Sequence, residues 1–360
     1  MMKQSKFISL ILMFALTSAA FISCGDKTDL SQFPINGGSD PNVGDVVYVQ
    51  ISPTWNQFNK PEAVFLGKEP LIYVADTKNN RVVQLDLSGT EIGSMSFLNP
   101  KAIAQDYNFD LLVIADSVAG VDTINVVYRM NLFETGGFLA NAVKNTYITS
   151  DYPTPTTSRS RKFTGISVYP DNKVIVSRSG PDNSNVIDAD NALLKITGRS
   201  TISNVTVLSG FQPTGNGIYS IEKSSGVTTF SNNYTDFILI RNTTDFGFKV
   251  EWFVFDNVKG TYDPRFLPGE DIDIITYQLG TPESITLDPN NNIFVVDNQR
   301  DSLYKFNAAG ELRPESFGGT GSGDKQLNNP MGVSFFDKVL YIADTDNNRI
   351  VRYKLSTDIN

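Results

Sequence analysis

The chain has 360 residues, of which 40% are hydrophobic and 19% charged, so it can bury a large core and is not expected to be disordered. Its 39 acidic and 30 basic residues give a net charge of −9, and such a surface repels phosphate backbones, so nucleic acid is not an expected partner. The absence of histidine excludes histidine-based catalytic systems and His-ligated zinc, and the single cysteine, Cys24, excludes internal disulfides.

The N-terminal segment is typical of an exported bacterial protein. Two lysines precede an apolar stretch over residues 7–20 that is too short to form a stable membrane span. The sequence Phe21-Ile22-Ser23-Cys24 follows and resembles a bacterial lipobox, with a small residue directly before the cysteine. The resemblance implies cleavage before Cys24 and attachment of lipid to its thiol. An ordinary signal peptide with an incidental thiol is the alternative.

The chain therefore divides into three predicted parts. Residues 1–23 are expected to be a lipoprotein signal peptide, and 24–45 a lipid-anchored flexible tether. The tether is rich in Gly, Asp, Ser, Asn and Pro and has no periodic pattern of apolar residues. Residues 46–360 are expected to form the folded domain.

A repeat runs through residues 46–360. The segments LIYVADTKNNRVV, from Leu71, and LYIADTDNNRIV, from Leu340, are almost identical. Together with weaker copies they define six anchor residues, each directly after an apolar run. These anchors are Asp76, Asp116, Arg178, Arg241, Asp297 and Asp344. A four-residue motif with a small third residue and Ile or Val in fourth place precedes five of them, and Asn216-Gly217-Ile218 is interpreted as its equivalent in the fourth copy.

Each repeat predicts a small antiparallel sheet. The four-residue motif begins a first strand, whose small third residue suits a position where strands crowd around an axis. The apolar run is a second strand buried on both faces, and the anchor aspartate is expected to accept backbone N–H groups in the turn that follows. Repeats of this length predict an all-β, six-bladed β-propeller. Residues 46–51 form a strand with no partner in the first copy, so we expect this N-terminal strand to close the last blade.

The start motif Pro-x-small-Ile/Val and the turn Ala-Asp-x-x-Asn-Asn-Arg resemble NHL repeats over about residues 46–355. This resemblance implies a propeller of the NHL/TolB-like type. Together with the lipobox, it makes the chain similar to envelope lipoproteins of Gram-negative bacteria, especially those of the Bacteroidota. It implies a non-enzymatic binding or scaffold module for a protein or glycan partner, held in the outer membrane through lipid at Cys24, on either the surface or the periplasmic face.

The second residue of each start motif is expected at the mouth of the central channel. The candidates that bear on binding there are Glu62, Lys101, Asn216 and Glu283. Two carboxylates and a lysine could bind a polar ligand or a divalent ion. A solvated channel lined by mixed charge is the alternative interpretation.

Inserted segments supply a second set of candidates. The segment 141–162 is rich in Pro, Thr and Ser and ends in a basic cluster, and further loops are expected at 180–191 and 257–273. The first segment offers Tyr147 and Tyr152 for stacking and Arg159, Arg161 and Lys162 for an acidic partner. A solvated loop without a partner is the alternative.

An enzymatic function is the competing hypothesis. Gluconolactonase/regucalcin-like propellers are hydrolases that use a Glu, two Asn and an Asp around a divalent cation, and Asn216-Gly217-Ile218 is similar to one of their Asn-Gly starts. Asn59 and Lys60, however, stand before Pro61, where that family would place its glutamate. We therefore predict no catalytic residue and no cofactor, with a divalent cation in the channel as the alternative.

Overall fold

A computed structural model describes residues 46–153, 160–185, 188–209, 218, 221–243 and 248–359. The predictions for the signal peptide, the tether with Cys24, Arg159 and Asn216 lie outside these residues. The described residues form six four-stranded antiparallel sheets, so the predicted all-β, six-bladed propeller is confirmed. Within the same ranges, none of the helices has the length and apolar character needed to cross a membrane.

The described part of the domain contains twenty-four strands, one short α-helix and several single-turn 3₁₀ helices. In the first half of the chain the strands are β1 Tyr48–Trp55, β2 Pro61–Leu66, β3 Ile72–Asp76, β4 Arg81–Leu85, β5 Glu91–Ser96, β6 Leu98–Gln105, β7 Asp110–Ala119, β8 Asp122–Asn131, β9 Asn145–Thr149, β10 Lys162–Val168, β11 Val174–Ser179 and β12 Ala192–Thr197. In the second half they are β13 Asn204–Val207, β14 Ser224–Thr229, β15 Phe237–Arg241, β16 Val250–Asp256, β17 Thr261–Pro264, β18 Pro282–Leu287, β19 Ile293–Asp297, β20 Ser302–Phe306, β21 Phe317–Gly318, β22 Pro330–Phe336, β23 Val339–Asp344 and β24 Arg349–Leu355, and helix α1 covers Asp273–Thr276.

Blades 1 to 5 each contain four consecutive strands, beginning with β2, β6, β10, β14 and β18. Within a blade the strands lie in chain order, from the first strand at the axis to the fourth at the rim. The first strands of neighbouring blades contact one another around the ring, including β22 with β2. All six predicted anchor residues lie in second strands: four of these strands end at the anchor, whereas β7 continues three residues past Asp116 and β11 one residue past Arg178.

The sixth blade contains strands from both ends of the described domain. Strand β1 pairs with β24 in antiparallel register, with Tyr48 opposite Leu355, and gives the sheet order β1-β24-β23-β22. The backbone N–H of Ser356 also donates to the carbonyl of Val47 at 2.8 Å. The strand expected over 46–51 therefore begins at Tyr48 and continues to Trp55.

The second strands are buried because each one packs against two neighbouring blades. In β3, Ile72 and Val74 face a cluster shared with blade 6, whereas Tyr73 and Ala75 face a cluster shared with blade 2. All five residues of β3 and all five of β19 are buried. A fully buried Val or Ile contributes roughly 1.5–3 kcal/mol, so these strands supply a large part of the core energy.

Crowding at the axis explains the small residue in third place of each start motif. A Cβ atom built on Gly165 would lie 2.7 Å from the Cα of Gly226 in the next blade. One built on Gly332 would lie 2.8 Å from the carbonyl oxygen of Glu62 and 2.9 Å from the Cα of Ala63. Larger side chains would push the first strands apart.

In blades 1 and 6 the anchor aspartate holds its turn through side-chain donors, and its backbone N–H donor comes from the loop before the first strand, not from the following turn as predicted. Asp76 Oδ1 accepts the backbone N–H of Asn59 at 2.7 Å, while its Oδ2 accepts from Arg81 Nε at 2.8 Å and Asn79 Nδ2 at 2.9 Å. In the sixth blade, Asp344 repeats this arrangement with Asn328, Arg349 and Asn347. The shared motif therefore reflects a shared set of buried hydrogen bonds.

Two predictions of segment boundaries are wrong. The first strand of blade 4 is β14, so its start motif is Ser224-Ser225-Gly226-Val227 and not Asn216-Gly217-Ile218. Ile218 instead forms an isolated bridge with Ser209. The expected loops over 141–162 and 257–273 contain the rim strands β9 and β17. Rim strands are only half-buried, so they lack the continuous apolar run that identifies a second strand.

Candidate binding site at the channel mouth

The channel mouth is the end of the ring at which the six first strands begin. It forms a funnel of about 700 Å³, which continues into a channel of about 270 Å³ along the axis. Six residues line both cavities, one from each first strand. They are Glu62, Lys101, Thr164, Ser225, Glu283 and Met331.

The structure brings together three of the four residues predicted for the mouth. Glu62, Lys101 and Glu283 all line the funnel, while the position expected for Asn216 is occupied by Ser225. The Lys101 ammonium lies 2.5 Å from Glu62 Oε2 and joins the first strands of blades 1 and 2. Glu62 is 13% exposed and Lys101 39%, so the lysine is the more accessible partner.

Glu283 is the most perturbed acid in the funnel. Its Oε1 accepts hydrogen bonds from Asn242 Nδ2 at 3.0 Å and Asn298 Nδ2 at 3.2 Å. Burial raises the pKa of Glu283 to about 7, and the nearby carboxylates Glu62 and Asp297 act in the same direction against Lys101. Near neutral pH this side chain can therefore be a hydrogen-bond donor or an anionic acceptor.

Asp116 is an ionised carboxylate in the same funnel. Its carboxylate accepts hydrogen bonds from Lys162 Nζ, Asn99 Nδ2 and Asn125 Nδ2, each at 3.1 Å. Burial alone would raise the pKa of Asp116, but these hydrogen bonds outweigh it and hold the pKa below its ordinary value. Asp116 is therefore charged at neutral pH and fixes Lys162 at the mouth.

Sequence analysis missed the amide side chains of the site. Asn242 follows the anchor Arg241, and Asn298 follows the anchor Asp297. The residue after an anchor lies at the mouth end of its blade in these two cases, and Ser179, which follows Arg178, also lines the funnel. Position relative to the anchors was therefore the signal that could have identified these residues.

The mouth carries balanced charge and a dense set of polar groups. Three carboxylates line it, Glu62, Asp116 and Glu283, together with three lysines, Lys101, Lys162 and Lys223. Such a lining can donate and accept hydrogen bonds at many points without favouring a strongly charged ligand.

The mouth does not fit a divalent cation. A cation held by Glu62 and Glu283 would lie beside the Lys101 ammonium, which already bonds to Glu62. Among the described residues, no group of three or more His, Cys, Asp or Glu side chains is arranged to hold a metal ion. We derive no metal-dependent step from this site.

The predicted loop residues do not form one exposed surface. Tyr147 lies in β9, where its hydroxyl donates to the carbonyl of Gly198 at 2.6 Å, and Tyr152 packs partly against the core between blades 2 and 3. Arg161 is only 4% exposed and lies 2.5 Å from Asp190 Oδ1. The prediction that Arg161 binds an acidic partner is therefore wrong, because Asp188 and Asp190 of this chain already pair with its guanidinium.

Arg178 holds the segments on either side of β11 in place through hydrogen bonds to their backbone carbonyls. Its guanidinium donates to the carbonyls of Ser150 and Ala189, at 3.1 and 2.8 Å, and to that of Tyr152. Burial lowers the pKa of Arg178 to about 10, and the neighbouring Arg161 contributes. An arginine anchor thus ties two inserted segments to blade 3, where blades 1, 2, 5 and 6 use an aspartate.

Comparisons with known proteins show the fold. No protein-family model matches the chain, and no curated protein sequence matches it. Among solved structures, an auxiliary nutrient binding protein from Bacteroides thetaiotaomicron VPI-5482 has a TM-score of 0.55 at 10% identity, covering 83% of this chain and 69% of that one. A second, from Bacteroides ovatus ATCC 8483, has a TM-score of 0.55 at 11% identity, with coverages of 84% and 70%.

An enzyme is also among the similar structures. A luciferin-regenerating enzyme has a TM-score of 0.57 at 12% identity, covering 86% of this chain and 95% of that one. Propellers of this shape therefore include binding proteins and enzymes. At such identities the likeness establishes the architecture alone, and function has to be argued from the site.

Proposed function

We propose that this chain is a lipid-anchored cell-envelope propeller that binds a polyhydroxylated ligand, such as a glycan, at its channel mouth. The observation that carries the proposal is the arrangement around Glu283. This carboxyl is held by two amide donors, in a funnel of about 700 Å³ that it shares with the Lys101–Glu62 pair.

Sugar hydroxyls suit this lining because each can donate and accept a hydrogen bond. Carboxylates and amide oxygens accept, while ammonium and amide N–H groups donate, and all four kinds of group line the mouth. The equal numbers of carboxylates and lysines there favour an uncharged ligand. The funnel volume lies within the range of about 300–1,000 Å³ that is typical of small-molecule sites.

Two further observations support a role in the envelope. The sequence ending at Cys24 resembles a lipobox, which implies an anchor on the outer membrane. Two structurally similar proteins from Bacteroides bear the description auxiliary nutrient binding protein. A surface-exposed or periplasmic protein that captures a nutrient glycan would combine these properties.

The proposal is tested by titrating the soluble domain, residues 46–360, with neutral oligosaccharides and measuring heat of binding. We expect Asn242→Ala and Asn298→Ala each to weaken binding of the ligand so identified about tenfold, because each removes a hydrogen-bond donor to Glu283 that orders the mouth. Asn290→Ala, an exposed asparagine in a turn outside the funnel, is the matched control. Unchanged affinity in both mouth variants would contradict the proposal.

A hydrolase is the second candidate function, and the pKa of Glu283 is the observation that favours it. A carboxyl with a pKa of about 7 in a polar funnel can act as a proton donor near neutral pH. Lactone and ester hydrolysis should be assayed with and without divalent cations, for wild type and Glu283→Gln. Turnover that requires Glu283 would make the chain an enzyme and overturn the purely binding function.

A further inference from the structure

A second pair of cavities lies between blades 4 and 5. The larger, of about 620 Å³, is mostly polar and meets the mouth funnel at Asn242. The smaller, of about 170 Å³, is lined mainly by apolar side chains together with Glu251, whose Oε2 lies 3.1 Å from Arg241 Nε. Phe248 and Ile275 line both, so the two form one groove with a polar end and an apolar end. We call it the blade 4/5 groove.

The polar end of the blade 4/5 groove carries two cations. Arg300 is exposed and forms no ion pair with any described residue. Lys249 Nζ donates to the carbonyls of Leu279, at 2.9 Å, and of Gly280. Burial lowers the pKa of Lys249, and Arg300 acts in the same direction, so these two cations lie close enough to interact.

Asp297 is the carboxylate that raises the pKa of Lys249, and its oxygens are already occupied by other hydrogen bonds. Asp297 is fully buried, and its oxygens accept the backbone N–H groups of Gly280 at 2.5 Å and of Thr281 at 2.8 Å. The backbone N–H groups of Gln299 and Arg300 also donate to it, both at 3.2 Å. These neutral donors do not cancel the charge of Asp297, so the polar end holds two cations and one carboxylate and has net positive charge, although the chain as a whole is acidic.

The apolar end holds an unsatisfied hydrogen-bond donor. Trp252 is 5% exposed, and its Nε1 has no hydrogen-bond partner among the described residues. The indole is fixed by stacking on Phe230, with ring centroids 4.6 Å apart, and by the Arg265 guanidinium 4.1 Å from its centroid. A buried N–H without a partner costs free energy, and an acceptor on a ligand in this cavity would remove that cost.

We propose that the blade 4/5 groove binds an aromatic carboxylate. The ring occupies the apolar cavity, whose size is close to that of an engineered apolar cavity of about 150 Å³ that binds benzene. A hydroxyl on the ring accepts a hydrogen bond from Trp252 Nε1. The carboxylate lies at the polar end and forms charge-assisted hydrogen bonds with Arg300 and the remaining N–H of Lys249. This site does not depend on the function proposed for the mouth.

The test uses Trp252 as its own reporter. The chain has two tryptophans, so Trp55→Phe leaves Trp252 as the only indole. The purified domain is titrated with 3-(4-hydroxyphenyl)propionate while Trp252 fluorescence is recorded, and binding is measured independently by calorimetry. We expect a saturable change in emission, weaker binding of 4-ethylphenol, which lacks the carboxylate, and weaker binding of butyrate, which lacks the ring.

Two variants test the polar end and the apolar end of the groove separately. Arg300→Gln should weaken 3-(4-hydroxyphenyl)propionate roughly tenfold or more and leave 4-ethylphenol unchanged. Val250→Phe should fill the apolar cavity and weaken both compounds. Arg313→Gln, which removes a half-exposed arginine outside the groove, is the matched control, and thermal melting confirms that each variant is folded.

One further variant distinguishes binding in the groove from binding at the mouth. Lys162→Met, which changes the mouth, should leave binding of the aromatic acid unchanged, because Lys162 does not line the groove and its hydrogen-bond partner is Asp116. No emission change and no heat up to millimolar ligand would overturn the proposal. So would equal weakening by Arg300→Gln and Arg313→Gln, since the anion would then be attracted by net charge and not by the groove.

Discussion

The Lys101 ammonium lies 2.5 Å from Glu62 Oε2 and gives that carboxylate a direct counter-charge. Glu283, in the same funnel, has two amide donors but no ammonium or guanidinium within ion-pair distance among the described residues. Two glutamates at equivalent positions of different blades are thus placed in different electrostatic environments. The difference explains why burial raises the pKa of Glu283 to about 7.

The first prediction concerns pH and stability. The pKa of Glu283 rises from 4.5 to about 7 on folding, so between these values the folded state binds more protons than the unfolded state. The stabilising contribution of the protonated side chain is complete below pH 4.5 and is lost as the pH rises through 7. We expect the free energy of unfolding to fall more steeply from pH 5 to pH 8 in wild type than in Glu283→Gln, measured by urea denaturation. Parallel pH profiles would contradict this prediction.

The second prediction concerns crowding at the axis. Gly165→Ala should destabilise the domain by about 1–3 kcal/mol, because the new Cβ would lie 2.7 Å from the Cα of Gly226 and backbone would have to move. Gly93→Ala is the matched control, since its Cβ would lie 3.5 Å from the nearest atom, Ala140 Cβ. Urea denaturation of both variants measures the difference, and equal stability would show that the first strands are not closely packed.

The third prediction concerns ring closure. Removing residues 24–55 deletes β1, with the buried side chains Tyr48 and Trp55, and exposes the edge of β24. We expect a large fall in Tm relative to the same protein lacking only residues 24–45, which retains β1. Comparable melting of the two truncations would show that β1 contributes little to the sixth blade.

Much of the ring could be predicted because the anchors are encoded locally. Asp76 and Asp344 sit in nearly identical segments, since each needs an Asn and an Arg nearby to satisfy its buried carboxylate. In contrast, the start motif of blade 4 was missed. Ser224-Ser225-Gly226-Val227 has the required small third residue, but the upstream sequence Asn216-Gly217-Ile218 matched the start motif more closely.

The site was harder to predict because it depends on contacts between blades. The start motifs locate Glu62 and Glu283 but do not show that Lys101 bonds to one and not the other. The burial of Arg161 depends on Asp188 and Asp190, which lie more than 25 residues away in sequence. A basic cluster in a polar segment therefore gave no indication that one of its members is internal.

The fourth prediction tests the anchor. If Cys24 carries lipid, cells expressing the full chain should incorporate labelled fatty acid into the protein, and Cys24→Ser should abolish the label and leave unprocessed precursor. Ser23→Ala keeps a small residue before the cysteine and should retain labelling. A wild-type protein that takes up no label would exclude this anchor and leave an ordinary signal peptide as the explanation of the N-terminal segment, and a label that persists in Cys24→Ser would place the lipid at another residue.

The last prediction separates two adjacent basic residues. Arg161 is 4% exposed and is paired with Asp190 and Asp188, so Arg161→Met leaves the buried Asp190 without a counter-charge, while Asp188 keeps Arg178 at 3.4 Å. We expect a loss of about 3–5 kcal/mol in the free energy of unfolding. Lys162 is 44% exposed and lies 3.1 Å from Asp116, so Lys162→Met should cost at most about 1 kcal/mol.

The same pair also distinguishes structure from recognition. Lys162 lines the mouth and Arg161 does not, so Lys162→Met should weaken ligand capture at the mouth while the domain stays folded. Urea denaturation and calorimetric titration of both variants give the two quantities side by side. If Arg161→Met were as stable as wild type and lost capture of an acidic partner, Arg161 would be a recognition residue, and its ion pairs with Asp188 and Asp190 would be of minor structural importance.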